Sequence, residues 1–143
     1  MSEQPTDPDA LARACVEAMW ADDRASRALG MRIVDVAPGR ATVAMPVRPD
    51  MVNGHGSAHG GFAFALADSA FAFACNNRNV ASVAYHCDIT YLAPAGAGDE
   101  LVAVAQERSV VGRTGTYDVT VRAGDRVVAE FCGTSRTAGG PVL

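Results

Sequence analysis

The sequence predicts an α+β fold in which an antiparallel sheet wraps around one long apolar helix, with a shorter helix ahead of it. Three observations carry that expectation. Across residues 60–75 nearly every side chain is small or apolar, Asp68 and Ser69 being the exceptions, and a helix apolar all round has to be buried. Across residues 80–92, Ala81, Val83, Tyr85, Cys87, Ile89 and Tyr91 alternate with Ser82, Ala84, His86, Asp88 and Thr90, which is the period of a strand. The motifs P-A-G-A-G-D, G-R-T-G and A-G-D-R then divide the remaining chain into three apolar runs at hairpin spacing.

Taken in order, residues 1–8 read as a frayed, disordered tail and residues 139–143, G-G-P-V-L, as a loose end. Between them, residues 9–138 make one domain, long enough to bury a core. Residues 9–21 set Leu11, Cys15, Ala18 and Met19 on one helical face, and a short turn over 23–29 stops at Gly30. Residues 31–36 and 40–47, joined by A-P-G, read as a β-hairpin. A Gly-rich polar loop covers 49–59, the central helix 60–76, and Asn77 to Asn79 end it. Strands follow at 80–92, 100–111, 116–122 and 127–137, as a meander of three or four.

Composition excludes several classes. A net charge of −4 gives no reason to expect nucleic acid, and all twelve basic residues are Arg, none Lys. The start, M-S-E-Q-P-T-D-P-D, lacks the basic and apolar regions of a signal peptide, so a cytoplasmic protein is expected. The apolar run around Asp68 is too short, and its carboxylate too costly, to span a membrane. Cys15, Cys75, Cys87 and Cys132 form no C-x-x-C pair and read as reduced, small core residues.

Two features of the central segment suggest acyl chemistry. Asp68 lies in a helix that is otherwise buried, where a carboxylate needs either a partner or a task. A satisfied structural carboxylate and a nucleophile or general base are both compatible with that position. The helix opens with His59-Gly60-Gly61. Consecutive glycines permit close backbone approach, and the free N–H groups at a helix start can hold a developing oxyanion. Gly60 and Asp68 are eight residues apart, about 12 Å along one helix axis. Both reach one carbonyl only if they come from two chains, which predicts a dimer with its sites at the seam. The Asn53 amide can donate to a carbonyl oxygen, although Asn-Gly is also a common turn. His55, His59 and His86 have no ligand-spaced companions, so no metal is expected.

The run N-G-H-G-S-A-H-G-G-F-A-F-A-L-A-D-S-A-F-A-F-A-C-N resembles the hotdog-fold acyl-CoA thioesterases, most closely the branch acting in phenylacetic acid degradation. The similarity continues through L-G-M, D-I-T-Y-L-A-P-A-G-A-G-D and G-R-T-G, and covers residues 28–138. The resemblance implies a hotdog fold: a curved antiparallel sheet around one long helix, in dimers that pair into a homotetramer. It implies hydrolysis of an aryl-acetyl-CoA type thioester, such as hydroxyphenylacetyl-CoA, to acid and free CoA, with no cofactor beyond the CoA of the substrate. Fatty acyl-CoA hydrolysis and non-catalytic acyl-CoA binding are the competing readings.

Carried over to this chain, the Gly60 N–H polarises the thioester carbonyl and Asp68 of the facing subunit attacks it or activates water. Asn53 and His59 position the reacting groups, with Gly61 beside them. Gly112, Arg113 and Thr114 in the G-R-T-G turn, together with Arg136, fall where relatives hold CoA phosphates, a role suited to guanidinium. Some relatives place a hydroxyl at the position of Ala84; Ser82, two residues away, is the nearest substitute on this strand.

Overall fold

The computed structural model describes residues 3–143; Met1 and Ser2, the first part of the expected tail, lie outside the described residues. Three helices and one six-stranded antiparallel sheet make up the fold. Helix α1, Pro8–Asp22, begins one residue earlier than the apolar spacing predicts. Asp7 caps it by accepting from the Ala10 N–H at 2.9 Å, and proline is at home in the first helical turn. Asp23 ends α1 and caps α2, Arg24–Ala28, through the Ser26 N–H.

The hairpin of β1, Arg32–Ala37, and β2, Arg40–Pro46, forms as predicted. A single 3-10 turn, Pro49–Met51, interrupts the loop that leads to α3, Gly60–Asn76. The last four strands are β3, Ser82–Tyr91; β4, Glu100–Val111; β5, Thr114–Ala123; and β6, Arg126–Thr137.

The spatial order β1-β2-β4-β5-β6-β3 makes the expected meander one of three strands, β4-β5-β6, and not of four. Strand β3 follows α3 in sequence but pairs with β6 rather than β4, so it becomes a free edge of the sheet. The simple alternation read across β3 also fails, because a bulge lies between Ala84 and His86. Inserting one residue reverses the facing of everything beyond it. Ser82 and Ala84 pair with Thr137 and Ser135, whereas Cys87, Ile89 and Tyr91 pair with Gly133, Phe131 and Ala129 on the inner, helix-facing side. Val83 and Tyr85 are left 57% and 67% exposed.

Helix α3 crosses the inner face of the sheet, where Leu66, Phe71 and Phe73 join Val43, Met45, Leu101, Val119 and Phe131 in one core. Phe71 shows why α3 sits so close to the sheet. A Cβ on Gly133 would stand 2.8 Å from the Phe71 ring, so only glycine lets the ring lie on β6.

Polar groups after α3 fasten distant parts of the chain to the end of that helix. Asn77, 1% exposed, donates to the Ala37 and Arg40 carbonyls and accepts from the Gly39 N–H, joining the end of α3 to the first hairpin. The Asn79 side-chain Oδ1 accepts from the Val142 and Leu143 N–H groups, each at 2.8 Å. These two bonds tie residues 142 and 143 of the expected loose end to the turn after α3. Because Asn77 serves three otherwise orphaned backbone groups, Asn77→Ala is expected to lower unfolding free energy by about 2–4 kcal/mol. Urea denaturation should show a lower midpoint at an unchanged slope.

Candidate active site

The site begins at the start of α3. His59 is the N-cap, and its Nδ1 accepts from the Gly61 N–H at 3.0 Å. An accepting Nδ1 carries no proton, so the neutral ring is the Nε2–H tautomer and presents a donor outward. The His59 carbonyl accepts from the Phe62 N–H. The Gly60 N–H has no partner among the described residues and remains free at the positive end of the helix dipole.

Asn53 shapes the preceding loop. Its Oδ1 accepts from the His55 and Ser57 N–H groups at 2.9 and 3.2 Å, and its backbone N–H donates to the Ser57 carbonyl. With Oδ1 held this way, the Asn53 NH2 is left as a donor. Turn former and donor were competing readings of Asn53, and one geometry accommodates both.

Tyr91 escaped the sequence reading except as a strand residue. Its hydroxyl donates to the Gly60 carbonyl at 2.8 Å. Its ring occupies the place of a side chain on Gly60, where a Cβ would stand 2.8–3.1 Å from ring atoms. Behind the pair opens a cleft of about 530 Å³ with a mainly apolar lining that includes Ala63, Leu92, Pro94 and Val128. Only the strand register, shifted by the bulge, turns Tyr91 toward the helix.

Asp68 stands two turns further along α3, half-buried rather than fully inside, in a depression of about 430 Å³ beneath the corner between α1 and α2. Met19, Asp22, Asp23, Ser26, Ser69 and Phe73 share that depression. Desolvation raises the Asp68 pKa, and no cation or donor among the described residues offsets it. The Ser69 hydroxyl meets Ser26 at 2.7 Å rather than Asp68, and Ser26 donates to Asp23 at 2.7 Å, fastening the corner to α3. Burial pushes the Cys75 thiol up to about 12, with the charge of Asp68 adding to the effect.

Arg113 and Arg136 stand on adjacent strand ends, Arg136 being the cross-strand partner of Thr114, but their side chains face different sides of the sheet. Arg113 donates to the Thr137 hydroxyl and carbonyl at 3.1 and 3.2 Å, at the mouth of a cavity of about 260 Å³ floored by Gly115, Tyr117 and Ser135. Ser135 is buried on the inner face, so its neighbour Arg136 projects outward, its guanidinium 5.4 Å from the centre of the Tyr85 ring. Gly112 and Thr114 flank Arg113 in the exposed β4–β5 turn, and Ala84 lies on exposed β3 opposite Ser135. Of the four α3 phenylalanines, Phe71 and Phe73 are core; Phe62 and Phe64 are only partly buried, and Phe62 meets His59 edge-on at 6.0 Å. Cys132 is exposed on the outer face, which corrects its expected place in the core. No group of three or more His, Cys, Asp or Glu among the described residues stands close enough to hold a metal ion.

A sheet wound round one long helix, with an unpartnered amide at the helix start, is the hotdog thioesterase architecture. Residues 55–130 match the thioesterase superfamily, and the chain belongs to that family. It is 45% identical over 126 residues to the acyl-coenzyme A thioesterase PaaI of Escherichia coli, covering 87% of this chain and 90% of the relative. The solved structure of E. coli PaaI, described as part of the phenylacetic acid degradation operon, superposes with a TM-score of 0.92 over 94% of this chain and 99% of that one, at 42% identity. Human acyl-coenzyme A thioesterase 13 is 31% identical over 82% of this chain and 88% of its own. A Streptococcus mutans structure bound to acetyl CoA matches at 26% identity and a TM-score of 0.74, over 77% of this chain and 90% of its own. The protein is a thioester hydrolase, an acyl-CoA thioesterase of the PaaI type.

The raised pKa of Asp68 has a stability consequence with a definite sign. The folded state holds the Asp68 proton more tightly than the unfolded chain does, so this group lowers stability as pH rises through its folded pKa. Asp68→Asn is therefore expected to raise Tm at neutral pH. The gain should shrink as pH falls through the raised pKa toward the ordinary aspartate value, and thermal unfolding of both proteins across pH checks it.

Proposed function

We propose that this thioesterase hydrolyses an aryl-acetyl-CoA type thioester, such as hydroxyphenylacetyl-CoA, in the cytoplasm, at sites shared between two subunits. The observation that carries the reading is a free Gly60 N–H and a desolvated Asp68 held on one rigid helix. Separated by about 12 Å along its axis, they serve one carbonyl only when a second copy supplies one of them.

Edge strand β3 supports the pairing, since its Val83, Tyr85 and Tyr91, and Leu92 just after it, are all more than half exposed in a single chain. Antiparallel pairing of two β3 strands brings the Tyr91–Gly60 end of one subunit toward the Ser82 end of the other. The homodimers then associate into a homotetramer. The half-buried Phe62 and Phe64, and the phenylacetic acid context of the E. coli relative, favour an aromatic acyl group.

In the reaction, the Gly60 N–H and the Asn53 amide receive the carbonyl oxygen as it gains charge, and His59 offers its Nε2–H beside them. Gly61 keeps that imidazole in place through its N–H. Asp68 either attacks the carbonyl, forming an anhydride that water opens, or takes a proton from attacking water. In both routes water supplies the new oxygen, the C–S bond breaks, and CoA leaves as a thiolate that takes up the proton. Arg136, Arg113, Gly112 and Thr114 receive CoA phosphates, and Ala84 lines the approach to Asp68. The only organic group involved is the CoA of the substrate.

Free-thiol release from phenylacetyl-, hydroxyphenylacetyl-, benzoyl-, short-chain and long-chain acyl-CoA tests the reading. The aryl-acetyl esters should turn over fastest, with Asp68→Asn losing at least about 10²-fold in kcat. Preference for long chains would keep the mechanism and overturn the acyl assignment; binding without turnover would leave an acyl-CoA carrier. Mixing Asp68→Asn with Gly60→Pro subunits should restore activity that neither has alone, because mixed dimers keep one intact site. A failure to complement would overturn the shared site.

A further inference from the structure

Resting on the Gly60 donor role above, we infer that Tyr91 is a positioning residue that aims two hydrogen-bond donors at the substrate through a single peptide unit. The Tyr91 hydroxyl donates to the Gly60 carbonyl at 2.8 Å, and the other end of that peptide, the Gly61 N–H, donates to His59 Nδ1 at 3.0 Å. Tyrosine O–H, peptide C=O and N–H, and imidazole Nδ1 form one unbroken chain. Each bond in such a chain polarises the next. A donor on the Gly60 oxygen makes the Gly61 N–H a better donor, and that N–H secures the imidazole with its proton on Nε2.

The ring of Tyr91 performs a second task. It fills the space that a side chain on Gly60 would need, at 2.8–3.1 Å from an added Cβ, so the first residue of α3 is clamped against β3. Glycine is free in backbone conformation, and Gly60-Gly61 is therefore the softest point of the helix. The Gly60 N–H keeps its direction only if something outside the helix holds those residues. Tyr91 does so from a strand whose register, set by pairing with Ala129, is independent of the loop.

The role separates from simple structural support by its kinetics. Tyr91→Phe keeps the ring against Gly60 and removes only the donor. It should lower kcat on the best acyl-CoA by about five- to tenfold, the worth of one hydrogen bond, while leaving KM within about twofold and Tm unchanged. Tyr91→Ala removes the clamp as well and should lower both kcat and Tm. In proton–nitrogen correlation spectra of the substrate-free protein, Tyr91→Phe should shift the Gly61 amide resonance, and wild-type His59 should be the Nε2–H tautomer. A Tyr91→Phe enzyme with wild-type kcat, or a His59 protonated on Nδ1 when neutral, overturns the proposal. The spectra read the relay without turnover, so a protein that released no thiol would sink the proposed substrate while leaving this test intact.

Discussion

The structure depends on enclosing a helix that cannot face water. With almost no polar side chain along α3, the sheet must curve around it, and the curvature must be close enough for aromatic rings to touch strand backbone. The Phe71 ring lying on Gly133 is that contact. Once α3 is fixed in this way, the height of Asp68 above the sheet is fixed with it. Asp68 inherits its rigidity from the core rather than from the loops around it.

Enclosure also decides where the molecule stays open. By pairing with β6 instead of β4, β3 closes one side of the wrap around α3 and leaves its own outer edge unpaired. The bulge at Tyr85 then assigns the two halves of β3 different duties. The half beyond it turns Cys87, Ile89 and Tyr91 toward the helix, while the half before it carries Val83 and supports Arg136 through Tyr85. One inserted residue thus separates the end of the strand that steadies the helix start from the end beside the cavity at Arg113.

Much of this was legible in the residues because it rests on local physics. The long helix, the first hairpin and the turns follow from hydrophobic period and Gly placement. Gly60 and Asp68 stood out as a backbone opening and a misplaced charge. The order of the strands was not legible, since an alternating strand looks alike beside β4 or beside β6. The bulge was hidden for the same reason, and with it the facing of Tyr91. The facing of the two candidate phosphate arginines was not legible either: the pleat turns Arg136 to the outer face, while two hydrogen bonds to Thr137 hold Arg113 at the mouth of a cavity.

The twelve cationic side chains are all guanidinium groups. Thioesters are acylating agents, and a neutral amine brought against one takes the acyl group without any catalyst. A guanidinium stays protonated throughout the physiological range and is a poor acceptor of that kind. An enzyme that spends its working life holding activated acyl groups here exposes no side-chain amine to them. Whatever the origin of the all-arginine composition, the protein is chemically protected against lysine acylation by its own substrate.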